Sequence, residues 1–277
     1  MSDVISEGKW AVILCGGRGS RMGAITEEIP KPLVCVHNKP LLWYGVMTLH
    51  KHGFRNFILP LGYKGEQIEE YVQKELAVLG AHIVCVDTGE NTSIAHRMLR
   101  VQHLIPEHAD FFLLNSDTIF EFDIEAMYET HKSAQALVTL SSVEVVSSWG
   151  IILLRDSEIA GFDRERKVCR LVSRTTPDLE GVVNSGLAWL NKDALGMVDL
   201  QTCPDFETSV YQAAIQAGRA VHFALQGCWY PVDTPKDLQI VNMEVQDKHG
   251  MGHLTRRVKD ALTSSSSHSQ PQTNITP

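Results

Sequence analysis

The N-terminal part of the chain alternates short apolar runs with segments whose apolar residues recur at helical spacing. Each apolar run is flanked by turn-forming residues, and this pattern predicts a largely buried strand. The four runs are WAVILC (10–15), NFILPLG (56–62), HIVCVD (82–87) and DFFLLNSD (110–117). The segments PLLWYGVMTLHKHG and GEQIEEYVQKELAVLG lie between them, end in glycine and are predicted helices. This alternation predicts an α/β domain with a mostly parallel sheet covered by helices on both faces.

The pattern changes after residue 136, where closely spaced β-like runs follow one another. These runs are ALVTLSSVEVV, WGIILLR and GVVNSGLAWLN. They predict an inserted, antiparallel, β-rich region. Helical spacing returns in PDFETSVYQAAIQAG, and the stretch from Ala220 to Gly250 has the pattern of a strand, a loop and a helix.

The same patterns suggest how the chain is organised. Residues 1–9 form a polar N-terminal extension, residues 10–245 one domain, and residues 246–262 a helical or extended segment. Residues 263–277, TSSSSHSQPQTNITP, contain few apolar side chains and are predicted to be disordered.

Composition narrows the possible partners and locations. The 277 residues are 44% hydrophobic and 21% charged, as expected for a soluble globular protein, and the net charge is -8 at pH 7. No overall basic field would attract nucleic acid, so nucleic-acid binding is not expected. Six cysteines without a CxxC pair favour reduced thiols in a cytoplasm over a disulfide framework or zinc site. No apolar run approaches the roughly 20 residues that span a bilayer, so no membrane association is expected.

Candidate chemistry is concentrated in LCGGRGSRMGAITEEIPKPL, which follows the first predicted strand. A glycine turn at the carboxyl end of a parallel strand lets backbone amides approach phosphate oxygens. The segment opens into a proline-containing loop, unlike a dinucleotide fingerprint, and it lacks the lysine–hydroxyl spacing of a P-loop. An ordinary tight turn is the alternative, but the three cations Arg18, Arg21 and Lys31 favour a phosphate site.

These residues also carry a resemblance to a known family. LCGGRGSRM, followed by IPKPLVCVHNKPLLWY, is similar to the signature of the sugar nucleotidyltransferases: a glycine loop ending in arginine, then PKP, an apolar run, and a second KP before a helix. The likeness covers about residues 10–245 and includes LGYKGEQIEEYV, LLNSDTIF, VVNSGLAWLN and WYPVDTPKDL. Within the family, VDTGENTSIAHRMLRV and GCWYPVDTPKDL most resemble the glucose-1-phosphate cytidylyltransferase branch. The resemblance implies a Rossmann-like, GT-A-like, three-layer α/β fold with a mixed, mostly parallel sheet, whose inserted β-rich region binds the acceptor.

The activity implied by the resemblance is nucleotidyl transfer. A phosphate oxygen of a sugar 1-phosphate such as glucose 1-phosphate attacks the α-phosphorus of a nucleoside triphosphate, CTP by similarity, and pyrophosphate leaves. Such an enzyme needs Mg²⁺, a triphosphate and a small phosphorylated acceptor, and a cytoplasmic homo-oligomer is expected. Three alternatives remain open: a guanylyl donor, a cyclitol phosphate or phosphonate acceptor, and a catalytically silent homologue that only binds nucleotide.

The resemblance also implies roles for particular residues. Arg21 would stabilise the departing pyrophosphate and Lys31 would contact the α-phosphate, which makes these two the catalytic candidates. The full nucleotide-binding set is Leu14, Gly16, Gly17, Gly19, Ser20, Arg21, Lys31, Thr88, Gly89, Thr92 and Ser116.

Two carboxylates are the metal candidates. Asp117 and Asp233 each follow an apolar stretch, and taken alone they could be turn formers or helix caps. As a pair that matches two family motifs, they are the implied ligands of Mg²⁺, a hard cation suited to carboxylate and phosphate oxygens.

The acceptor side departs from the family pattern. Related enzymes carry glutamate and lysine in an EKP segment, whereas this chain has LVSRTTP, with Ser173 and Arg174 at those positions. Arg174 can replace lysine as a phosphate clamp. Asn184 and Gly186 in VVNSG complete the acceptor candidates, since they suit a polar ring substituent that approaches the backbone closely.

Overall fold

The computed structural model describes residues 8–146, 151–155, 158–163, 167–168, 171–172, 180–197 and 205–244. The strands are β1 (Lys9–Leu14), β2 (Cys35–Val36), β3 (Lys39–Pro40), β4 (Phe54–Leu61), β5 (His82–Asp87), β6 (Asp110–Asn115), β7 (Thr118–Phe122), β8 (Val138–Val143), β9 (Val145–Val146), β10 (Ile151–Arg155), β11 (Glu158–Asp163), β12 (Lys167–Val168), β13 (Leu171–Val172), β14 (Glu180–Gly181), β15 (Val183–Asn191), β16 (Ala220–Ala224) and β17 (Gly227–Pro231). The α-helices are α1 (Ile25–Glu28), α2 (Leu41–Lys51), α3 (Gly65–Tyr71), α4 (Ile94–Val101), α5 (Ile124–Ser133), α6 (Phe206–Gln216) and α7 (Pro235–Glu244).

Within these residues, seven strands form one mixed sheet in the order β16, β8, β15, β6, β1, β4, β5. The pairs β1–β4, β1–β6, β4–β5 and β8–β16 are parallel, and β15 is antiparallel to both of its neighbours. The sheet is therefore mostly parallel, and the predicted α/β class is confirmed.

The two faces of the sheet carry separate cores because side chains alternate along each strand. On β1, Ala11 and Ile13 face one core with α2, α3, α5 and α7, whereas Trp10 and Val12 face the other with α4 and α6. Trp189 of β15 is almost fully buried in the first core, and its ring lies 5.5 Å from that of Phe54. Helices thus cover both faces, as the strand–helix alternation predicts.

Asp110, at the start of β6, is a buried anion in this framework. Its side chain accepts hydrogen bonds from Asn191 Nδ2 at 2.8 Å, from His131 Nε2 at 3.3 Å and from the Tyr128 hydroxyl at 3.3 Å. Burial alone would raise the pKa of Asp110, but the hydrogen bonds from His131 and Asn191 hold it at about 2. The ionised carboxylate therefore joins β6, α5 and β15.

The predicted β-rich insertion is smaller than expected: ALVTLSSVEVV and GVVNSGLAWLN supply β8 and β15 of the central sheet, so that part of the prediction is wrong, and the insertion lies between these two strands. Among the described residues, it consists of the antiparallel pairs β9–β12, β10–β11 and β13–β14. Its antiparallel character is as expected. Arg174 and Ser173 lie outside the described residues, as do residues 246–262 and 263–277.

Some elements differ from the sequence prediction. The prediction of a loop after β16 is wrong, because Gly227–Pro231 forms β17 and pairs antiparallel with β7. Its terminal glycine and proline are typical of turns, but the partner strand supplies the ladder that keeps the segment extended. The helix expected over residues 65–80 is α3 followed by a π-helical turn at Val72–Leu76 and a 3₁₀ turn at Ala77–Leu79. Among the described residues, no helix is both long and apolar enough to cross a bilayer.

Candidate active site

A cavity of about 380 Å³ opens beyond the carboxyl ends of β1 and β6. Most of the predicted nucleotide-binding residues line it. They are Leu14, Gly16, Gly17, Gly19, Ser20, Arg21, Lys31, Thr92 and Ser116, together with the metal candidate Asp117. The cavity therefore brings together residues from three separate stretches of sequence.

The glycine turn after β1 forms one side of the cavity. A Cβ on Gly17 would meet none of the described atoms within 4 Å, so its backbone is open to a ligand. Gly19 has φ 63°, and a Cβ there would come within 2.9 Å of the Lys31 side chain. Glycine at this position thus permits both the left-handed conformation and the close approach of the lysine stem.

Four charged side chains, Arg21, Lys31, Asp117 and Asp233, form a charge cluster beside this turn. The Lys31 ammonium donates to Asp117 Oδ2 at 2.6 Å and to Asp233 Oδ1 at 2.7 Å. Arg21 Nη1 donates to the second oxygen of Asp233 at 2.9 Å. Lys31 is only 7% exposed, whereas the Arg21 side chain is exposed. Two cations and two anions thus alternate in a partly dehydrated setting, where charge interactions are stronger than in bulk water.

Local structure fixes both aspartates. Asp117 lies between β6 and β7, and its carbonyl accepts from the amide of Val232, which extends the β7–β17 ladder by one bond. Asp233 precedes α7, whose first turn is a capping box: the Asp237 amide donates to Thr234 Oγ1 at 3.2 Å, and the Thr234 amide donates to Asp237 Oδ2 at 2.8 Å. The same Asp237 oxygen accepts from the Asp233 amide at 3.1 Å.

The two aspartates fit a magnesium ion. Their carboxylate oxygens are close enough to share one ammonium group, and hard oxygen donors are what Mg²⁺ prefers. In the part of the chain that the structure describes, no group of three or more His, Cys, Asp or Glu side chains could hold a metal. Mg²⁺ commonly binds one or two carboxylates and completes its shell with water and substrate phosphates, so Asp117 and Asp233 together could hold it.

Cys15 also lines the cavity, but it is not poised as a nucleophile. Burial raises the pKa of its thiol far above the usual value, although a hydrogen bond with Ser116 acts in the opposite direction. The thiol is therefore protonated near neutral pH, and a protonated thiol is unreactive.

Two predicted nucleotide contacts, Thr88 and Gly89, are not among the residues that line the cavity. Thr88 is fully buried, and its hydroxyl donates to the Leu61 carbonyl and accepts from Arg97. The Thr88 carbonyl accepts from the Thr92 hydroxyl at 2.6 Å. Gly89, with φ 81°, is fixed by the Asp87 carboxylate, which accepts from its amide at 2.8 Å. Of this segment's predicted contacts, Thr92 lines the cavity, whereas Thr88 supports the wall.

Neither Asn184 nor Gly186, the described acceptor candidates, lines the cavity, but Gly186 is a neighbour of a residue that does. Asn184 is exposed, and its Oδ1 accepts from the Gly186 amide at 3.1 Å. Gly186 has φ 76°, and a Cβ there would meet Asn115 Nδ2 of the cavity lining at 3.2 Å. The β15 ladder is irregular here, because the register with β8 shifts between Asn184 and Ala188. Bulges of this kind re-aim side chains at the ends of sheets.

Seven lining residues are not among the predicted site residues, and they include Glu90, Asn91 and Arg97. Arg97 is 4% exposed, although it is charged. It lies four residues before Val101 on the buried side of α4. A charged residue on an otherwise apolar helical face is the sequence pattern that could have identified Arg97 as a site residue. Glu90 and Asn91 sit in a loop and gave no comparable pattern.

The protein has an α/β fold, and its cavity at the carboxyl end of β1 is lined by a glycine turn and cations, a combination suited to phosphorylated ligands. Comparison with known proteins specifies the class: the sequence model described as "Nucleotidyl transferase" matches residues 10–248. The chain belongs to the nucleotidyl transferase family, and it is a nucleotidyltransferase. The family resemblance seen in the sequence is thereby confirmed.

Individual relatives show the range of the family. The chain is 29% identical over 251 residues to a probable glucose-1-phosphate cytidylyltransferase of Bacillus subtilis, an alignment that covers 84% of this chain and 94% of the relative. It is 30% identical over 231 residues to the mannose-1-phosphate guanylyltransferase catalytic subunit beta of Xenopus tropicalis, with 82% of this chain and 62% of that longer relative aligned. Among solved structures, HddC from Yersinia pseudotuberculosis complexed with GMP-PN has a TM-score of 0.60 at 22% identity, covering 85% of this chain and 99% of that one. This last likeness concerns the fold.

Proposed function

We propose that the protein transfers CMP from CTP to a sugar 1-phosphate and releases pyrophosphate. The observation that carries the proposal is the charge cluster of Arg21, Lys31, Asp117 and Asp233 beside the open backbone of Gly17. Two cations and two anions, the latter our proposed metal ligands, would then surround an entering triphosphate. Because phosphoryl transfer needs alignment and charge neutralisation more than a protein nucleophile, this set of groups is suited to it.

Each residue has a proposed task in the transfer. An oxygen of the acceptor phosphate attacks the α-phosphorus, and the bond from that phosphorus to the oxygen bridging to the β-phosphate breaks. Backbone amides of the glycine turn hold the phosphates, the Lys31 ammonium neutralises charge at the α-phosphate, and the Arg21 guanidinium stabilises the departing pyrophosphate. The alkyl stem of Lys31 is packed against Gly19, which keeps its ammonium in place.

We also propose that Asp117 and Asp233 hold Mg²⁺. The ion, when bound, would supply a positive charge that polarises the phosphate oxygens. Lys31 donates to one oxygen of each of these carboxylates, so the ion would compete with its ammonium group for them.

The donor base is the finer part of the proposal. The sequence resemblance to cytidylyltransferases and the B. subtilis relative support CTP. GTP is the second candidate, because the X. tropicalis guanylyltransferase is equally similar at 30% identity. A few hydrogen bonds decide base selectivity, so similarity at this level fits either base. Measuring kcat/KM with each of the four ribonucleoside triphosphates identifies the preferred donor. A higher value for GTP than for CTP would refute the cytidylyl assignment while leaving the reaction class intact.

The acceptor proposal depends on residues at the end of β15. Asn184 offers a polar, exposed side chain, and Gly186 leaves room for a ring substituent beside Asn115. Arg174 is proposed from sequence alone as a bidentate clamp on the acceptor phosphate, so Arg174→Ala should raise acceptor KM and lower turnover by a combined factor of about 30. Glucose 1-phosphate, mannose 1-phosphate, a cyclitol phosphate and a phosphonate are the acceptors to compare. An unchanged acceptor KM and kcat in Arg174→Ala would show that other residues bind the phosphate.

Pyrophosphate release tests whether the protein catalyses the proposed transfer. Wild-type protein is assayed with each triphosphate, each acceptor and Mg²⁺, and an Asp117→Asn, Asp233→Asn double variant serves as the matched inactive control. Release that requires both substrates supports the proposal. Triphosphate binding with no release under any pairing would instead support a silent nucleotide-binding homologue.

A further inference from the structure

Arg97 occupies an unusual position, buried within the wall of the cavity. It is 4% exposed and projects from α4 toward the carboxyl ends of β1, β4 and β5. A buried arginine is costly unless its donors are satisfied, so the identity of its partners indicates what it does.

The partners of Arg97 come from three different segments of the chain. Its Nη2 donates to the Gly16 carbonyl at 2.9 Å and to the Glu90 carbonyl at 3.1 Å. Its Nη1 donates to the Leu61 carbonyl at 2.8 Å and to Thr88 Oγ1 at 2.6 Å. One guanidinium group thereby joins the glycine turn, the end of β4 and the loop after β5.

The arrangement leaves little hydrogen-bonding capacity for a ligand. Each terminal nitrogen of arginine carries two N–H donors, and each terminal nitrogen of Arg97 makes two bonds to protein acceptors. A bidentate contact with phosphate would require breaking bonds that hold the wall. The geometry therefore favours an indirect role.

The glycines around Arg97 support the same conclusion. A Cβ on Gly16 would lie 2.2 Å from Arg97 Cζ, and a Cβ on Gly62 would lie 2.6 Å from Arg97 Nη1. Neither glycine has a positive φ, so close approach, and not backbone conformation, requires them. Gly17, by contrast, would tolerate a Cβ among the described residues. The first glycine of the turn thus makes room for Arg97, and the second faces the cavity.

We propose that Arg97 is a positioning residue that sets the nucleotide-side wall of the active site by holding the backbone at Gly16, Leu61 and Glu90 in one arrangement. This inference rests on the proposed nucleotide site. Arg97 acts through backbone carbonyls, so its loss should weaken triphosphate binding without changing the interaction with the acceptor.

The first test compares Arg97→Lys with wild type and with Arg55→Lys. Arg55 is the matched control, because its guanidinium also donates to backbone carbonyls, at 2.8 Å to both His50 and Phe54, but at the opposite end of β4. CTP and GTP are titrated calorimetrically in the presence of Mg²⁺, and the acceptor KM is measured separately. Arg97→Lys should weaken binding of the preferred triphosphate at least about tenfold, with acceptor KM within about twofold of wild type, because a lysine cannot reproduce the guanidinium fork. Arg55→Lys should bind as wild type does.

A double-mutant cycle separates positioning from direct phosphate binding. Gly16→Ala should lower the melting temperature and weaken triphosphate binding in the wild-type background, but have little effect in Arg97→Ala, where the colliding guanidinium is gone. Additive effects, or an Arg97→Lys variant that binds the triphosphate within twofold of wild type, would overturn the inference. A chain that binds neither CTP nor GTP would refute the proposed function, while the melting-temperature cycle would still decide whether Arg97 holds the turn.

Discussion

Lys31 offers the sharpest test of the charge cluster. In Lys31→Met, the side chain keeps much of its length and packing but loses the ammonium group that bonds to both Asp117 and Asp233. The two carboxylates then face each other without this cation, in a site where Lys31 itself is 7% exposed. We expect lower stability as well as lower activity.

The size of the stability loss follows from burial. Breaking a fully buried ion pair costs about 3–5 kcal/mol, whereas an exposed pair contributes at most about 1 kcal/mol. The side chains of Asp117 and Asp233 are 25% and 32% exposed, so the pairs lie between these limits. We expect a loss of about 2–3 kcal/mol for both contacts together, which lowers the melting temperature by about 5–10 °C in a domain of this size. Turnover should fall about a hundredfold or more, because charge stabilisation at the α-phosphate is lost.

Urea unfolding at pH 7, with and without Mg²⁺, measures the effect. The matched control is Lys51→Met, because Lys51 donates to Glu121 at 2.7 Å at a more exposed position far from the site, and its loss should cost about 1 kcal/mol or less. Mg²⁺ should stabilise Lys31→Met more than wild type, since in wild type the ion and the ammonium compete for the same oxygens. The reasoning is refuted if Lys31→Met is no less stable than Lys51→Met, or if Mg²⁺ affects the variant and wild type equally.

Three further predictions concern the aspartates and the cap of α7. Asp117→Asn and Asp233→Asn should each reduce turnover about a hundredfold or more with the fold intact by circular dichroism, and near-normal rates at limiting Mg²⁺ would contradict the metal assignment. Asp110 should stabilise the fold by about 2 kcal/mol above pH 5, because its folded pKa of about 2 is below the unfolded value, and this contribution should be lost as the pH falls toward 2. In urea titrations from pH 7 to 2, the free energy of unfolding should therefore fall less steeply with pH in Asp110→Asn than in wild type. An equally steep fall in both proteins would count against the buried anion. Thr234→Ala should destabilise the protein by about 1 kcal/mol and lower turnover through the adjacent Asp233, and full activity would show that the capping box does not position that carboxylate.

Much of the fold could be predicted because its strands are apolar enough to be recognised without their partners. His82–Asp87 forms a strand with the predicted bounds, and the other three N-terminal runs differ from β1, β4 and β6 by one or two residues at most ends. Gly227–Pro231 could not be predicted in this way, because its strand character comes from pairing with β7 and not from its own composition. Strand preference depends on such tertiary context more than helix preference does.

The sequence predicts site residues whose side chains carry charged groups, but it does not predict residues that hold the backbone of the site in place. Arg21, Lys31 and Asp117 stand in motifs whose chemistry is legible from residue type, and the structure brings them together. Arg97 acts on backbone carbonyls that are remote in sequence, which no spacing rule reveals. Thr88 is the converse case: its motif predicts a nucleotide contact, which stays a prediction, while in the structure its hydroxyl joins the ends of β4 and β5.

Strand order explains why these groups meet. The chain runs from β1 outward to β4 and β5 on one side, then returns to place β6 on the other side of β1. The loops that leave β1 and β6 therefore diverge, and a crevice opens between the two carboxyl ends, as it does at the switch points of open α/β sheets. The Ser116 amide donates to the Leu14 carbonyl at 3.4 Å across this point, so the glycine turn and Asp117 are neighbours whatever their loops contain. The antiparallel β15 beside β6 then brings Gly186 to Asn115, which sets the proposed acceptor residues against the same crevice. A donor held on the β1 side and an acceptor held on the β15 side would thus meet at the end of β6, where Asp117 lies.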